Sequence, residues 1–542
     1  MLCSHASMAQ TQVGSDIDGE AAGDISGSSV SMPDAYTVAI GAQYNDGNGT
    51  ESGHVRVYKW NGNTWTQKGG DIDGEAAGDY SGVSVSMPDS NTVAIGAILN
   101  EDNGERAGHV RVYMWSGNSW VQKGGDIDGE DSLNFSGSSV SMPDSNTVAI
   151  GAPWNNGNGI YAGHVRVYRW NGSAWIQRGG DLDGEAASDE SGCFVSMPDS
   201  NTLAIGAQRN DSNGIDAGHV RVYRWSGNSW VQKGIDIDGD SAGDYFGAVV
   251  SMPDSNTVAI GAPYNAVNGV YAGQVRIYRW NGSMWVPKGM AIYGDTAYSS
   301  SYFVSMPDSN TIALGVFTSN GLNASRVRIY RWSDTAWVQR GVDINREAAA
   351  DWAAIVSMPD SNTVAIGALG NDGNGLNSGH VRVFSLCNGS VDTSVTLSAN
   401  TLVSSDSTAT YQWLNCDSAY AAVNGATNRN FTPLNTGNYS VVVSRSHCVD
   451  TSACYNVVIS GLNKQKAKKG QFTVYPNPTD GAFIIETNES SKNTSFEIRD
   501  VKGKVILKGK LKDKQTTLDL SDYSSGVYLL RVGDQNVKVV RK

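Results

Sequence analysis

Long apolar runs, cysteines and catalytic signatures are what this sequence has least of. Of 542 residues, 6 are cysteine, 7 histidine and 13 proline, and only 17% carry charge. No apolar run approaches the ~18 residues that cross a bilayer as a helix, so no transmembrane segment is expected. No GxSxG elbow, HExxH pair, Walker loop or CxxC pair occurs, which sets aside the chemistries those spacings serve. On that ground the chain is expected not to be an enzyme. The 3.6-residue apolar period is scarce, so no helix of note is expected. Charge is lopsided: Lys464 to Lys542 holds 16 Lys+Arg against 9 Asp+Glu, leaving 24 against 45 elsewhere. An acidic front of that kind argues against nucleic acid or an anionic membrane surface as partner.

What is present is repetition. The stretch Gly125 to Gly179, GDIDGEDSLNFSGSSVSMPDSNTVAIGAPWNNGNGIYAGHVRVYRWNGSAWIQRG, returns with variations six more times. The methionine of its SMPD turn stands at Met32, Met87, Met142, Met197, Met252, Met306 and Met358, a spacing of 55 residues four times, then 54, then 52. Each unit spells four short strands in two hairpins: GSSVSM and TVAIGA around PDSN, then HVRVYRW and AWIQRG around NGS. TVAIGA has no polar alternation, as expected of a strand covered on both faces. Sheets apolar on both faces must stack, and stacking them radially gives a seven-bladed all-β propeller. The seventh repeat ends at VRVFSL without its outer strand, whereas Gln10 to Gly14, QTQVG, stands in the register of WVQKG. The N-terminus is therefore expected to supply the outer strand of the last blade and close the ring.

FSGSSVSM, TVAIGAPWN and GHVRVYRW resemble the FG-GAP repeats of integrin-α-type seven-bladed propellers, over residues 10–387. The resemblance implies an extracellular recognition role. That family's calcium loop, a DxDxDG-like run between the first two strands, is replaced here by MPDSN with a single aspartate.

Four further segments follow from composition and resemblance. Ser7, Met8 and Ala9 resemble the end of a signal-peptide cleavage site, so residues 1–9 are expected to be the remnant of a signal peptide. Residues 388–460 carry strands such as ATYQWLN and NYSVVVSR and resemble the Ig-like β-sandwich modules of Bacteroidetes surface proteins. Cys387, Cys416, Cys448 and Cys454 cluster here; an even set in a short all-β segment points to disulfides and an oxidising compartment, with three pairings open. Zinc is the rival reading, weakened by the lack of CxxC and by His447 as the sole neighbouring imidazole. Residues 461–471 form a Lys-rich linker. Residues 472–542 resemble, block by block, the C-terminal sorting domain of type IX secretion cargo: YPNP, DVKGKV, SSGVYLLRV and a basic end. The resemblance implies handling by that secretion machinery, and a secreted or outer-membrane surface-attached protein.

Candidate ligand residues lie in the long loops, since the other rim has only tight turns. In GDIDGEAAGD, Asp71, Asp73, Glu75 and Asp79 have calcium-like oxygen spacing, repeated by Asp181, Asp183, Glu185 and Asp189 and by Asp236, Asp238, Asp240 and Asp244. The glycine falls at the fourth position rather than the sixth, and solvated acidic turns are the other reading. His54, His109, His164, His219 and His380 open the third strand in five blades; Gln274 and Arg326 replace them in the others, which a ring of metal ligands would not accept and which favours a hydrogen-bonding edge residue. Arg166 and its six equivalents are expected to lock blade to blade or turn to strand. The Trp pairs, such as Trp115 and Trp120, are expected to pack blades together, with stacking on a sugar the other reading. The expected function is adhesion or capture of an extracellular glycan or protein. Alternatives are a polysaccharide-degrading hydrolase or lyase and a structural surface-layer component.

Overall fold

The computed structural model describes residues 10–298, 301–317, 325–348, 351–386, 391–398, 400–418, 420–445, 448–458, 472–487 and 493–542. The signal-peptide remnant, the Lys-rich linker, Cys387 and His447 lie outside these residues. Among the described residues the only helical element is a 3₁₀ turn at Cys416–Ser418.

Seven sheets repeat one plan. In the third, strands Ser139–Asp144, Thr147–Ala152, His164–Trp170 and Trp175–Gln177 pair antiparallel in chain order. A fifth piece, Leu182–Asp183, pairs with the third strand, so the outer edge is one strand interrupted between Arg178, whose N–H still donates to Val167 O, and Leu182. TVAIGA is buried along its whole length in each of the five sheets that repeat it unchanged. Alternation sends Val148 and Ile150 into the core shared with the blade before, and Ala149 into the core shared with the blade after. Burying each such Val or Ile side chain contributes ~1.5–3 kcal/mol. Close approach requires glycine: a Cβ on Gly151 would lie 2.0 Å from the Gly192 carbonyl oxygen of the next blade.

The expected closure is present. Thr11–Gln12 pairs with Ser385 and Phe384, Ile17–Asp18 pairs with Val381 and His380, and the Val13 N–H donates to Val383 O at 2.8 Å. Next to the innermost strands, Ser31 Oγ accepts from the Met87 N–H and Ser86 Oγ from Met142. The series continues through Ser141, Ser196, Ser251 and Ser305 to Met358, and Ser357 Oγ accepts from the Met32 N–H at 3.0 Å. The cycle of bonds returns to its first member.

Two further sheets follow in residues 395–457: Val395–Ser398, Thr401–Ser404 and Asn430–Phe431, and a second built around Thr410–Asn415 and Gly437–Arg445. Trp413 is fully buried, stacks on Phe431 at 5.2 Å and donates its indole N–H to Asn428 O. Cys416 and Cys454 form a disulfide.

The chain divides into two compact units, the second comprising residues 433–437 and 456–542. The second unit contains a three-stranded sheet of Thr473–Tyr475, Ala482–Glu486 and Gln515–Asp519. A four-stranded sheet of Ser495–Arg499, Val505–Lys510, Gly526–Val532 and Gln535–Arg541 completes it. Phe483, Ile485, Ile498, Leu511, Leu520, Leu530 and Val539 form its buried core.

Candidate functional site

The acidic run after each outer strand is divided among three tasks. Asp79 is buried; its Oδ2 accepts from the Ala76 N–H at 2.9 Å and the Glu75 N–H at 3.2 Å, capping the turn. Asp189 repeats this with Glu185 and Ala186, and Asp244 accepts from Ser241 N–H and Asn265 Nδ2. Asp73 pairs in strand register with His54, and its carbonyl accepts from Arg111 Nη2 of the following blade at 2.7 Å. Asp183 and Asp238 do the same for Arg221 and Arg276. The first and third carboxylates then part company. Asp71 turns back toward His54 and Glu20, while Glu75 reaches forward to His109, Asp102 and Asp126. Asp181 likewise joins Glu130 and His164, and Asp236 joins Glu185 and His219; Asp240 meets Arg276 at 2.8 Å. The run Asp71, Asp73, Glu75 and Asp79, whose spacing is calcium-like, thus has its first and third carboxylates at different blade junctions, as do the two equivalent runs. Linear spacing assumed a loop folded around itself, whereas these carboxylates serve two different blade junctions.

Each junction is electrostatically balanced by arginine. Arg111 Nη1 lies 3.4 Å from Glu75 Oε1, and the Arg111 guanidinium stacks 5.5 Å from the Tyr113 ring. The equivalent arginines at 56, 166, 221 and 382 repeat the ion pair and the carbonyl contact to the preceding blade, which is the lock expected of them. Burial, reinforced by the adjacent guanidinium, lowers the imidazole pKa of His54, His164 and His219 to about 4. These rings are neutral at physiological pH. Burial also raises Glu75 and Glu185 above the ordinary carboxylate range, with arginine opposing it. The histidines are not hydrogen-bonding edge residues: His54, His109, His219 and His380 are buried, and neither ring nitrogen of any of them has a hydrogen-bond partner among the described residues.

On the opposite rim the Trp pairs pack between blades as expected. Trp115 and Trp120 lie 5.3 Å apart, Lys68 Nζ stands 5.0 and 5.1 Å from their rings, and Trp120 Nε1 donates to Lys68 O. Cys193, the free thiol of the ring, is pushed up to about 12 by burial and is inert at neutral pH.

The long-loop rim carries a feature with no signal in the sequence. Non-glycine residues hold positive φ at two recurrent positions. One precedes the first strand of a blade: Ile25, Tyr80, Phe135, Glu190 and Tyr245, at φ between 48° and 58°. The other lies between the second and third strands: Glu51, Arg106, Tyr161, Asp216, Tyr271 and Asn377, at φ between 52° and 57°. The positions meet in pairs, since the Tyr80 N–H donates to Glu51 O, Phe135 to Arg106, Glu190 to Tyr161 and Tyr245 to Asp216. Each such residue costs ~1–3 kcal/mol of backbone strain. The frame is constant and the side chains vary. Phe135, Trp154 and Tyr161 form one aromatic cluster with centroids 4.4 and 5.4 Å apart. Tyr245, Tyr264, Tyr271 and Tyr298 form a second, continued by Arg209 over Tyr245 and its ion pair with Glu190 at 3.1 Å. Trp154, Tyr161, Tyr271 and Tyr298 are all exposed.

Residues 473–542 match the family model of the secretion system C-terminal sorting domain. The chain is a type IX export substrate, destined for the cell surface. No helix among the described residues is long and apolar enough to cross a membrane. No curated protein matches the chain. Several solved structures are similar to it, among them a β-propeller domain. The propeller domain of the trilobed protease of Pyrococcus furiosus is 11% identical, with 69% of this chain and 95% of that one covered and a TM-score of 0.39. An ulvan lyase is 9% identical, with 70% and 96% covered and a TM-score of 0.39. A xyloglucanase from Xanthomonas campestris is 10% identical, with 98% and 81% covered and a TM-score of 0.40. At such identities the likeness concerns fold alone. It nevertheless corrects the expectation that the chain is not an enzyme. That expectation rested on motifs being absent, and the solved structures similar to this chain include a polysaccharide lyase and a xyloglucanase.

Proposed function

We propose that the protein captures an extracellular glycan at the cell surface through the aromatic rim of its propeller, and so mediates adhesion. In this reading residues 10–387 form an FG-GAP-like ring, 388–460 an Ig-like spacer, 461–471 a linker, and 472–542 the sorting domain read by the type IX machinery. The observation that carries it is the constant, strained frame presenting variable side chains, among them exposed aromatics in clusters. Flat aromatic faces stack on sugar rings, and several shallow clusters on one rim favour multivalent retention of a polymer over deep capture of a small molecule. The test is retention of the full chain on a panel of immobilised polysaccharides, with matrix proteins alongside. Retention on a polysaccharide, lost in Trp154→Ala and Tyr271→Ala variants that keep their melting temperature, is the expected result. Retention that both variants keep overturns the rim as the site, and no retention anywhere returns the protein to a structural surface role.

A second reading has its own support. The Tyr80 hydroxyl donates to Glu51 Oε2 at 3.1 Å, and the Tyr245 hydroxyl donates to Asp216 Oδ2 at 3.3 Å. Tyrosine–carboxylate pairs beside aromatic faces suit proton transfer on a polysaccharide. Release of reducing or unsaturated ends from a bound polymer, abolished in Tyr80→Phe or Tyr245→Phe, is the outcome that reading requires.

A further inference from the structure

We propose that five of the seven blade junctions are binding sites for a divalent transition-metal ion of the zinc class. Each is built from the glutamate of the preceding connection, the histidine that opens the third strand, and the first aspartate of the following connection.

The second junction shows the geometry. His109 Nδ1 stands 3.8 Å from Glu75 Oε2, too far for a hydrogen bond. Ligand atoms of Glu75, Asp102, His109 and Asp126 all lie within 4.8 Å of one another. Two ligands each ~2.0–2.2 Å from one ion are separated by ~3–4 Å, so a single ion fits between them with small movements of the carboxylates. Glu75 is divided in use: Oε1 faces Arg111, and Oε2 is left to face the imidazole. A buried imidazole with both nitrogens unpaired is costly unless another partner serves it. His54, His164 and His219 stand 3.8 or 3.9 Å from their glutamates, and His380 Nδ1 lies 3.7 Å from Asp16 and 4.0 Å from Glu347. One neutral nitrogen with two carboxylates suits zinc and its neighbours rather than calcium, which takes six to eight oxygens.

The two junctions without histidine act as internal controls. In the sixth blade Arg326 replaces it, and the guanidinium reaches Asp295 at 2.7 Å and Asp343 at 3.0 Å. These aspartates occupy the positions of Glu75 and Asp126, so a covalently attached cation stands where the others present a neutral ring between carboxylates. In the fifth blade Ala291 replaces the following aspartate, and there histidine is absent too: Gln274 contacts Asp240 at 3.4 Å. Histidine occurs only where both carboxylates are present and no second guanidinium, in addition to the arginine of the third strand, stands between them. The replacements Gln274 and Arg326 therefore mark the limits of the series rather than count against it.

The test is equilibrium dialysis of the full chain against zinc, with metal counted per chain in variants that borrow the protein's own alternatives. His109→Arg copies the sixth blade and is expected to remove one ion of the five sites. Arg326→His restores the third ligand between Asp295 and Asp343 and is expected to add one. If His109→Arg fails to fold, His109→Gln, which copies the fifth blade, replaces it. A count that moves down and up by one in this way supports the sites. A count unchanged in both variants, or no ion retained by the folded wild type, overturns them.

Discussion

The two rims of the propeller are made by the same repeats and treat them oppositely. On the short-turn rim, six Trp pairs and the MPD turns recur almost unchanged, and each closes a contact between neighbouring blades. On the long-loop rim the backbone is repeated down to its strained residues, while the side chains displayed change from Tyr80 to Glu190 and from Arg106 to Tyr271. Uniform contacts serve cohesion, because every junction must satisfy the same geometry. Varied side chains on an invariant frame are what the proposed capture of a glycan would draw on. The difference separates what holds the ring from what the ring offers.

Experiments can break or sharpen that division. The largest effect is expected from the seam: deleting Gln10 to Val13 removes the outer strand of the last blade and exposes that edge, and the melting temperature of the ring should fall by many degrees in calorimetry. Next comes Trp285→Ala. Trp285 is buried against Trp280 and the core of its junction, so a loss of about 3 kcal/mol is expected in denaturant unfolding. Acid should act on the long-loop side. His54, His164 and His219 titrate near 4 in the fold and at 6.5 when unfolded, so the unfolded chain binds more protons between those values. Around His164 the charged groups are Glu130, Asp181 and Arg166. In chelator, stability should therefore be level above pH 6.5 and fall as pH drops toward 4. Arg166→Lys should cost only about 1 kcal/mol, since it weakens one donated bond to Asp128 O and the pairing with Glu130. A recognition variant such as Tyr271→Ala belongs at the small end for stability, with no shift in melting temperature and all of its effect on retention.

Much of the fold was legible because period dominates it. Seven methionines at near-constant spacing implied seven sheets, TVAIGA implied a strand covered on both faces, and QTQVG implied the seam. The sites were harder to read for a physical reason. Glu75, His109 and Asp126 belong to three different segments, and they meet only because adjoining blades are pressed together. Reading each repeat as a unit placed Asp71 to Asp79 in one loop, whereas Asp71 and Glu75 face two different junctions. The strained pairs were invisible because Tyr80 or Glu51 at positive φ carries no glycine to announce the turn. Of the four clustered cysteines, the structure joins Cys416 to Cys454; spacing alone left three pairings open.

The seam also sets a clock. Thr11 pairs with Ser385, so the first residues of the ring wait for a partner 374 positions behind them. At ~5–20 residues per second of synthesis, that is a delay of about 20–75 s, during which six blades can assemble in order while the seventh lacks its outer edge. The last blade is thus the slowest and most exposed to mispairing. The sorting domain is made later still, so the residues that mark the chain for export appear only after the strand that closes the ring.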